Sequence, residues 1–381
     1  MSPDITFGRT GGEGKVTPFI RAIGLVLASV MAPLIAARAQ TMTVEEYEPK
    51  STLVVPEHRV TRAKYPFIDV HNHQRLGQSA EDMARLTRAM DALNMRVMVN
   101  LSGRSGDTLA SEVEARAAGQ PKRFVIFANL DFAGADDAGY GARAAARLER
   151  DVKNGARGLK IFKNFGLTLK DASGARVRVD DPRFDPIWKK CGELGIPVLI
   201  HTAEPASFFE VADRHNERWL ELKQFPNRAR PGDQYPAFEE IIGEQHRLFA
   251  KHPRTRFINA HLGWLGGDLA RLGRLMDSLP NMYTEIGAVL AELGRQPRFA
   301  RDWFIRYQDR VLFGKDTWAP EEYHVYFRVL ETQDEYFDYY RRRHAFWKMY
   351  GLNLPDDVLR KLYYRNALRI IPGIDTSAFP R

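Results

Sequence analysis

The chain has 381 residues, 44% hydrophobic and 27% charged, which is globular composition and enough length for one large domain or two small ones. Its single cysteine, Cys191, excludes a disulfide framework and a cysteine-based metal cluster. The formal charge of +8 is spread without a long basic run or a nucleic-acid motif, so the expected partner is a small-molecule substrate and not nucleic acid.

Residues 1–39 stand apart. Arg9, Lys15 and Arg21 precede an apolar run from Ala22 to Ala37, and Ala37-Arg38-Ala39 is a small-x-small cleavage pattern. Together these make a secretory signal peptide. The run contains Pro33 and falls short of the roughly 20 residues that a spanning helix needs. Cleavage after Ala39 is therefore expected, with a secreted or periplasmic mature chain and no stable membrane insertion. An uncleaved anchor is the alternative. Residues 40–64 are polar, lack a clear period, and read as an N-terminal arm.

From residue 65 to 381 short apolar runs alternate with amphipathic ones. Phe67–His71 reads as a buried strand and Ala80–Leu93 as a helix, with Met83, Leu86, Met90 and Leu93 at helical spacing. Strands follow at 96–101, 124–129, 158–162, 196–201, 256–261, 282–285 and 311–316. Helices are predicted at 108–118, 142–154, 184–194, 238–251, 269–278 and 297–307. Thr202–Tyr235 is irregular and aromatic-rich, a lid-like insertion or a segment packed on the barrel or on a second subunit. From about Glu321 the chain reads as extra C-terminal helices. Eight strands alternating with helices predict an α/β protein, a (β/α)8 TIM barrel. A doubly wound sheet is the alternative, but no Gly-rich phosphate turn follows the first strand.

In such a barrel the reacting groups sit at the C-terminal strand ends. His71 and His73, two apart on a strand, face one point, and neutral imidazole is a common metal ligand. Lys160 lies in the fourth strand, and His201, His261 and Asp316 lie at the ends of the fifth, sixth and eighth. Glu204 reads as a rim carboxylate.

The motifs Ile68-Asp69-Val70-His71-Asn72-His73, Gly158-Leu159-Lys160-Ile161, Val198-Leu199-Ile200-His201-Thr202, Asn259-Ala260-His261-Leu262-Gly263 and Leu312-Phe313-Gly314-Lys315-Asp316-Thr317 occur in this order. With the ending Lys361–Ala367, the chain resembles the amidohydrolase superfamily over about residues 65 to 372. The nearer likeness is to the amidohydrolase-related branch that includes the aminocarboxymuconate semialdehyde decarboxylases. Lys315 departs from the pattern, which commonly has Thr there, and adds a second cation near the site. The resemblance implies that His71, His73, His201 and Asp316 bind one divalent cation, with Zn²⁺ the first expectation. Three imidazoles and a carboxylate suit that ion and leave room for a water. Asp316 would also serve as general base, and His261 would polarise the substrate carbonyl or shuttle a proton. In two-metal members a carboxylated strand-four lysine bridges the metals. Here a one-metal site is expected, which leaves Lys160 as a candidate second-metal or substrate contact.

The expected function is hydrolysis of a small or medium ester, lactone or amide by a metal-activated water. The alternative is non-oxidative decarboxylation of an unsaturated or aromatic carboxylic acid. A third class, a non-catalytic scaffold on the same barrel, is disfavoured by the intact ligand set. A homodimer is the one assembly the reading leaves open.

Overall fold

The computed structural model describes residues 41–120, 122–341 and 347–380. The signal peptide expected over 1–39 lies outside the described residues. The chain divides into two units, Met1–Lys50 and Ser51–Arg381. In the first, Thr43 N donates to Glu46 Oε2 across 2.9 Å and closes a turn. In the second, residues 51–64 are tied to the barrel. His58 N donates to Asp334 Oδ2 at 2.8 Å, and Lys64 N to Glu331 Oε1 at 3.0 Å.

The barrel strands are β1 (Phe67–Asn72), β2 (Met95–Asn100), β3 (Phe124–Ile126), β4 (Ala128–Asn129), β5 (Leu159–Ile161), β6 (Val198–Ile200), β7 (Phe257–Asn259), β8 (Met282–Glu285) and β9 (Val311–Leu312). All pairings among them are parallel and sequential. β3 and β4 are one pass of the sheet, broken at Phe127. Phe127 N bonds Asn100 O at 3.0 Å, while Ala128 N turns to Gly158 O at 2.9 Å. The sheet closes between first and last strands, where Val70 N bonds Phe313 O at 2.9 Å and Asp316 N bonds His71 O at 2.7 Å. Eight passes in a closed parallel ring make the fold a (β/α)8 barrel.

The strands read as continuous apolar runs because helices cover them outside and side chains fill them inside. Phe67, Val70, Met98, Leu159, Val198, Ile258 and Leu312 are all buried. Local signals set the helices. Ala80–Leu93 starts at Ser79, whose hydroxyl accepts from Asp82 N at 3.1 Å, and stops at Asn94, a left-handed cap with φ 73°. Such a cap contributes about 1 kcal/mol. The helix buries Met83, Leu86, Met90 and Leu93, the predicted face.

The C-terminal helices seal the seam. The helix Pro320–Glu331 brings Tyr323 and Phe327 against Phe67 and Phe313, which meet edge to face at 4.9 Å. A π-helical turn at Lys361–Arg365 leaves Leu362 O available, and Phe313 N bonds it at 3.0 Å. A two-residue antiparallel pair, Phe337–Asp338 with Lys348–Met349, was too short to show in the sequence pattern. No described helix is long and apolar enough to cross a membrane.

Candidate metal centre

β1 and the residue that follows it carry the first candidate pair, His71 and His73. His71 is fully buried at the strand end, and its Nδ1 lies 2.9 Å from Glu285 Oε1 on β8. A carboxylate accepts, so His71 carries its proton on Nδ1, a tautomer assigned from the bonding. Its Nε2 then presents a lone pair to Asp316 Oδ1 across 3.4 Å. His73 brings Nε2 to 3.6 Å from the same oxygen, with its Nδ1 2.9 Å from Ser102 Oγ. One ligand atom each from His71, His73 and Asp316 lie within 4.8 Å of one another. Acceptors facing acceptors are unfavourable unless a cation lies between them. His71 is sealed, while His73 and Asp316 keep 30% and 31% of their side chains exposed. The open side of the cluster is therefore theirs.

His201 and His261 form the other half. His261 Nδ1 lies 2.7 Å from Gly287 O and donates to it, leaving Nε2 to accept from His201 Nδ1 at 3.3 Å. His201 Nε2 is then an enclosed acceptor with no protein partner. An orphaned buried lone pair at the site is what a fourth ligand would present. His201 is not among the three converging groups but joins them through His261, whose ring centroid lies 4.8 Å from that of His71. The donor set of His71, His73 and Asp316 thus fits one divalent cation, whereas His201, expected as a fourth ligand, is turned through its Nδ1 to His261 and does not converge with them.

Protonation agrees. Burial, followed by the charge of Lys160, holds His71 well below the ordinary imidazole range and His73 at about 4. Burial and then His261 lower His201 as well. Neutral imidazole is the ligand form. Burial pushes Asp316 upward, but attraction to positive charge on the surrounding His71, His261, His73 and Lys160, wherever these are protonated, outweighs it, so its carboxyl sits below its usual range. Lys160 points into the site, its Nζ 3.5 Å from His71 Nε2, and burial lowers it to about 8.

Lys315, the departure from the pattern, behaves differently from expectation. Lys315 adds no free charge to the centre, because its ammonium is paired with Glu322 and donates to Thr317 O at 2.8 Å. Only its backbone N reaches inward, to Asp69 Oδ1 at 3.1 Å. Glu204 pairs with Lys163, and with Arg230 Nη2 at 2.9 Å. The insertion is anchored there and again at Arg218, buried between Glu221 and Glu292.

Three residues matter here that the sequence reading passed over. Glu285 ends β8 fully buried, and a carboxylate at a strand end was a usable signal. Asp69 is sealed beneath the pair. Burial raises it to about 6, against bonds from Tyr323 Oη, Asn72 Nδ2 and the backbone N of His71 and Lys315. Trp264 stacks on His261 with centroids 4.5 Å apart. Its position depends on four successive left-handed residues, His261, Leu262, Gly263 and Trp264, with φ from 53° to 61°. Each non-glycine residue in that region costs ~1–2 kcal/mol. Seven of the eleven described non-glycine residues with positive φ follow barrel strands at this end, Ala203, Ala288 and Asp316 among them. Strain of this kind gathers where side chains must be aimed.

Residues 54–373 match the sequence model of a known family, described as amidohydrolase. No curated protein matches. Solved structures share the fold. One is a 2,6-dihydroxybenzoate decarboxylase from Rhizobium, with a TM-score of 0.51 and 16% identity, over 80% of this chain and 98% of that one. A second is an amidohydrolase of unproven activity from Staphylococcus aureus, with a TM-score of 0.50 and 16% identity, covering 80% and 99%. A third is a dihydroxybenzoic acid decarboxylase from Polaromonas with bound manganese and an inhibitor, with a TM-score of 0.50 and 16% identity, covering 80% and 96%.

Proposed function

The chain belongs to the amidohydrolase family of metal-dependent enzymes, and from that premise we propose that it hydrolyses a small or medium ester, lactone or amide. The convergence of His71 Nε2, His73 Nε2 and Asp316 Oδ1, open to solvent on the Asp316 side, supports metal-dependent chemistry common to hydrolysis and decarboxylation, and the expected export of the chain favours hydrolysis. A bound divalent cation, Zn²⁺ in this reading, would supply a water acidified to near neutral pH. Asp316, held as the carboxylate, accepts a proton at that open face. His261, whose Nε2 rests against His201 Nδ1, would pass a proton to or from the substrate once that contact opens. Lys160 supplies a fixed positive charge to an oxyanion, buried where such a charge acts strongly. The insertion at 202–235 lines a cavity of about 300 Å³ with Trp264 and the chain beyond it.

The decarboxylase reading is kept as the second because two dihydroxybenzoate-type decarboxylases share the fold, one holding manganese. Phe162 and Trp264, aromatic neighbours of His73 and His261, would suit a planar acid. One screen separates the two readings. Metal-loaded protein is given carboxylic esters, lactones, amides and hydroxylated aromatic acids. Acid release without carbon dioxide supports hydrolysis, and carbon dioxide release supports decarboxylation. The proposal also places the enzyme outside the cytoplasm, with export directed by residues 1–39. Periplasmic fractionation and N-terminal sequencing in a Gram-negative host should find a chain beginning at Gln40, whereas a cytoplasmic chain retaining Met1 would refute export.

A further inference from the structure

Glu285 touches both halves of the site. Its Oε1 lies 2.9 Å from His71 Nδ1 and 2.6 Å from His261 N. Its Oε2 accepts from Gly287 N at 2.6 Å. Three donors therefore surround one fully buried carboxylate, and two of them share a single oxygen. The surroundings leave room for it. A Cβ on Gly314 would fall 2.3 Å from Glu285 Oε2 and 2.9 Å from His71 Cβ. On Gly287 it would fall 2.8 Å from the same oxygen.

We propose that Glu285 is a positioning residue whose oxygen Oε1 sets, together, the tautomer of the ligand His71 and the place of His261 in its left-handed turn. The chemistry needs an acceptor there. With Oε1 holding the Nδ1 proton, His71 must offer Nε2 as the lone pair. With Oε1 holding His261 N, the turn starts where the ring can reach His201 and stack under Trp264. The other bond fixing that ring, His261 Nδ1 to Gly287 O, depends on the same carboxylate through Gly287 N. Carboxylates behind ligating histidines typically change metal affinity 10–100-fold when removed. The inference rests on the metal-centre reading for its affinity readout, but its tautomer readout is taken without metal and without substrate.

The isosteric changes differ in a useful way. Gln at 285 keeps one acceptor oxygen for His71 and His261 and sets its NH₂ against Gly287 N, donor against donor. Met at 285 keeps the bulk and removes both acceptors. Nitrogen-15 histidine spectra of the metal-free parent should show His71 with its proton on Nδ1, the resonance being assigned by its absence in His71→Ala. Glu285→Gln should retain that tautomer and bind Zn²⁺ less tightly than the parent. Glu285→Met should lose the single tautomer and bind Zn²⁺ about 10–100-fold more weakly, measured by competition with a chelator. A purely structural glutamate would leave the His71 tautomer unmoved in all folded variants. A metal-free parent with the proton on Nε2, or a Glu285→Met protein with parental tautomer and affinity, would overturn the proposal. The parent spectrum decides alone should Glu285→Met fail to fold.

Discussion

The two halves of the centre are made by different means. At the seam between β1 and β9, the candidate ligand His71 rides on β1 and His73 follows its end, while Asp316 lies past Leu312 on a single left-handed residue with φ 84°, and the seam is cross-linked by Val70 N to Phe313 O and Asp316 N to His71 O. Asp69 beneath them ties four groups together. Past β7, His261 is aimed by a left-handed turn that no glycine at 261, 262 or 264 makes easy. The first half aims its histidine pair by pleat and register and Asp316 by one left-handed residue, whereas the second aims His261 by four left-handed residues in succession, held with buried hydrogen bonds. Ligands sit mainly in the first half. The group assigned to proton transfer sits in the second.

That contrast can be broken by substitution, and the largest effect belongs to the seam. His71→Ala should abolish metal binding while leaving the far-UV circular dichroism close to the parent. Retention of full metal by elemental analysis would remove the seam from the account. Next come the two members that divide ligand from catalyst. Asp316→Asn should weaken metal binding and lose activity, whereas His261→Asn should keep near-full metal and lose ~10²–10⁴-fold in turnover. Metal stoichiometry and turnover measured on the same preparations give the answer. A metal-free His261→Asn protein would make His261 a ligand, and a fully active one would leave it a merely structural residue.

A smaller effect tests Lys160. Burial holds it at about 8 in the folded chain, against an ordinary 10.5. Between those values the unfolded chain binds more protons than the folded one, so stability of the metal-free parent rises with pH across that window. The rise amounts to about 3 kcal/mol at most. Lys160→Met should lack it. Urea unfolding of both metal-free proteins at pH 7 and pH 10 measures the difference, and equal slopes would contradict the buried cation.

The smallest effect concerns strain. Ala288 follows β8 with φ 59°, and Ala146 sits exposed in the helix Tyr140–Lys153. Ala288→Gly should stabilise the fold by up to ~1 kcal/mol by relieving the left-handed conformation, and Ala146→Gly should destabilise it by roughly 0.5–1 kcal/mol. Thermal unfolding of the two variants should move in opposite directions. A shared direction would mean that the strand-end residues are not strained.

This division also explains what the sequence made legible. His71, His73 and Asp316 could be found because period-two strands and the strand-end rule place them before any contact is known. The helices Ala80–Leu93, Phe238–Lys251 and Leu269–Ser278 fall where their apolar spacing puts them. His201 and His261 were legible as neighbours at adjacent strand ends, but the contact of their rings was not, because it depends on a turn that its sequence does not announce. Only Gly263 in Ala260–Trp264 signals left-handed backbone. Glu285 was read as an ordinary strand residue, since its weight lies in three bonds to groups far apart in sequence or on the backbone. The strands predicted at 124–129 and 311–316 are shorter in the structure. At Phe127 the pairing passes from one neighbour to the next, and beyond Leu312 the chain bends to bring Asp316 over His71.

The central claim is that the seam holds one divalent cation. Anomalous diffraction from crystals of the protein grown with Zn²⁺, and in parallel with Mn²⁺, locates the ion directly. The account predicts one anomalous peak per chain at bonding distance from His71 Nε2, His73 Nε2 and a carboxylate oxygen of Asp316. A protein that takes up no ion there, or binds it only away from His71 and His73, would contradict the account.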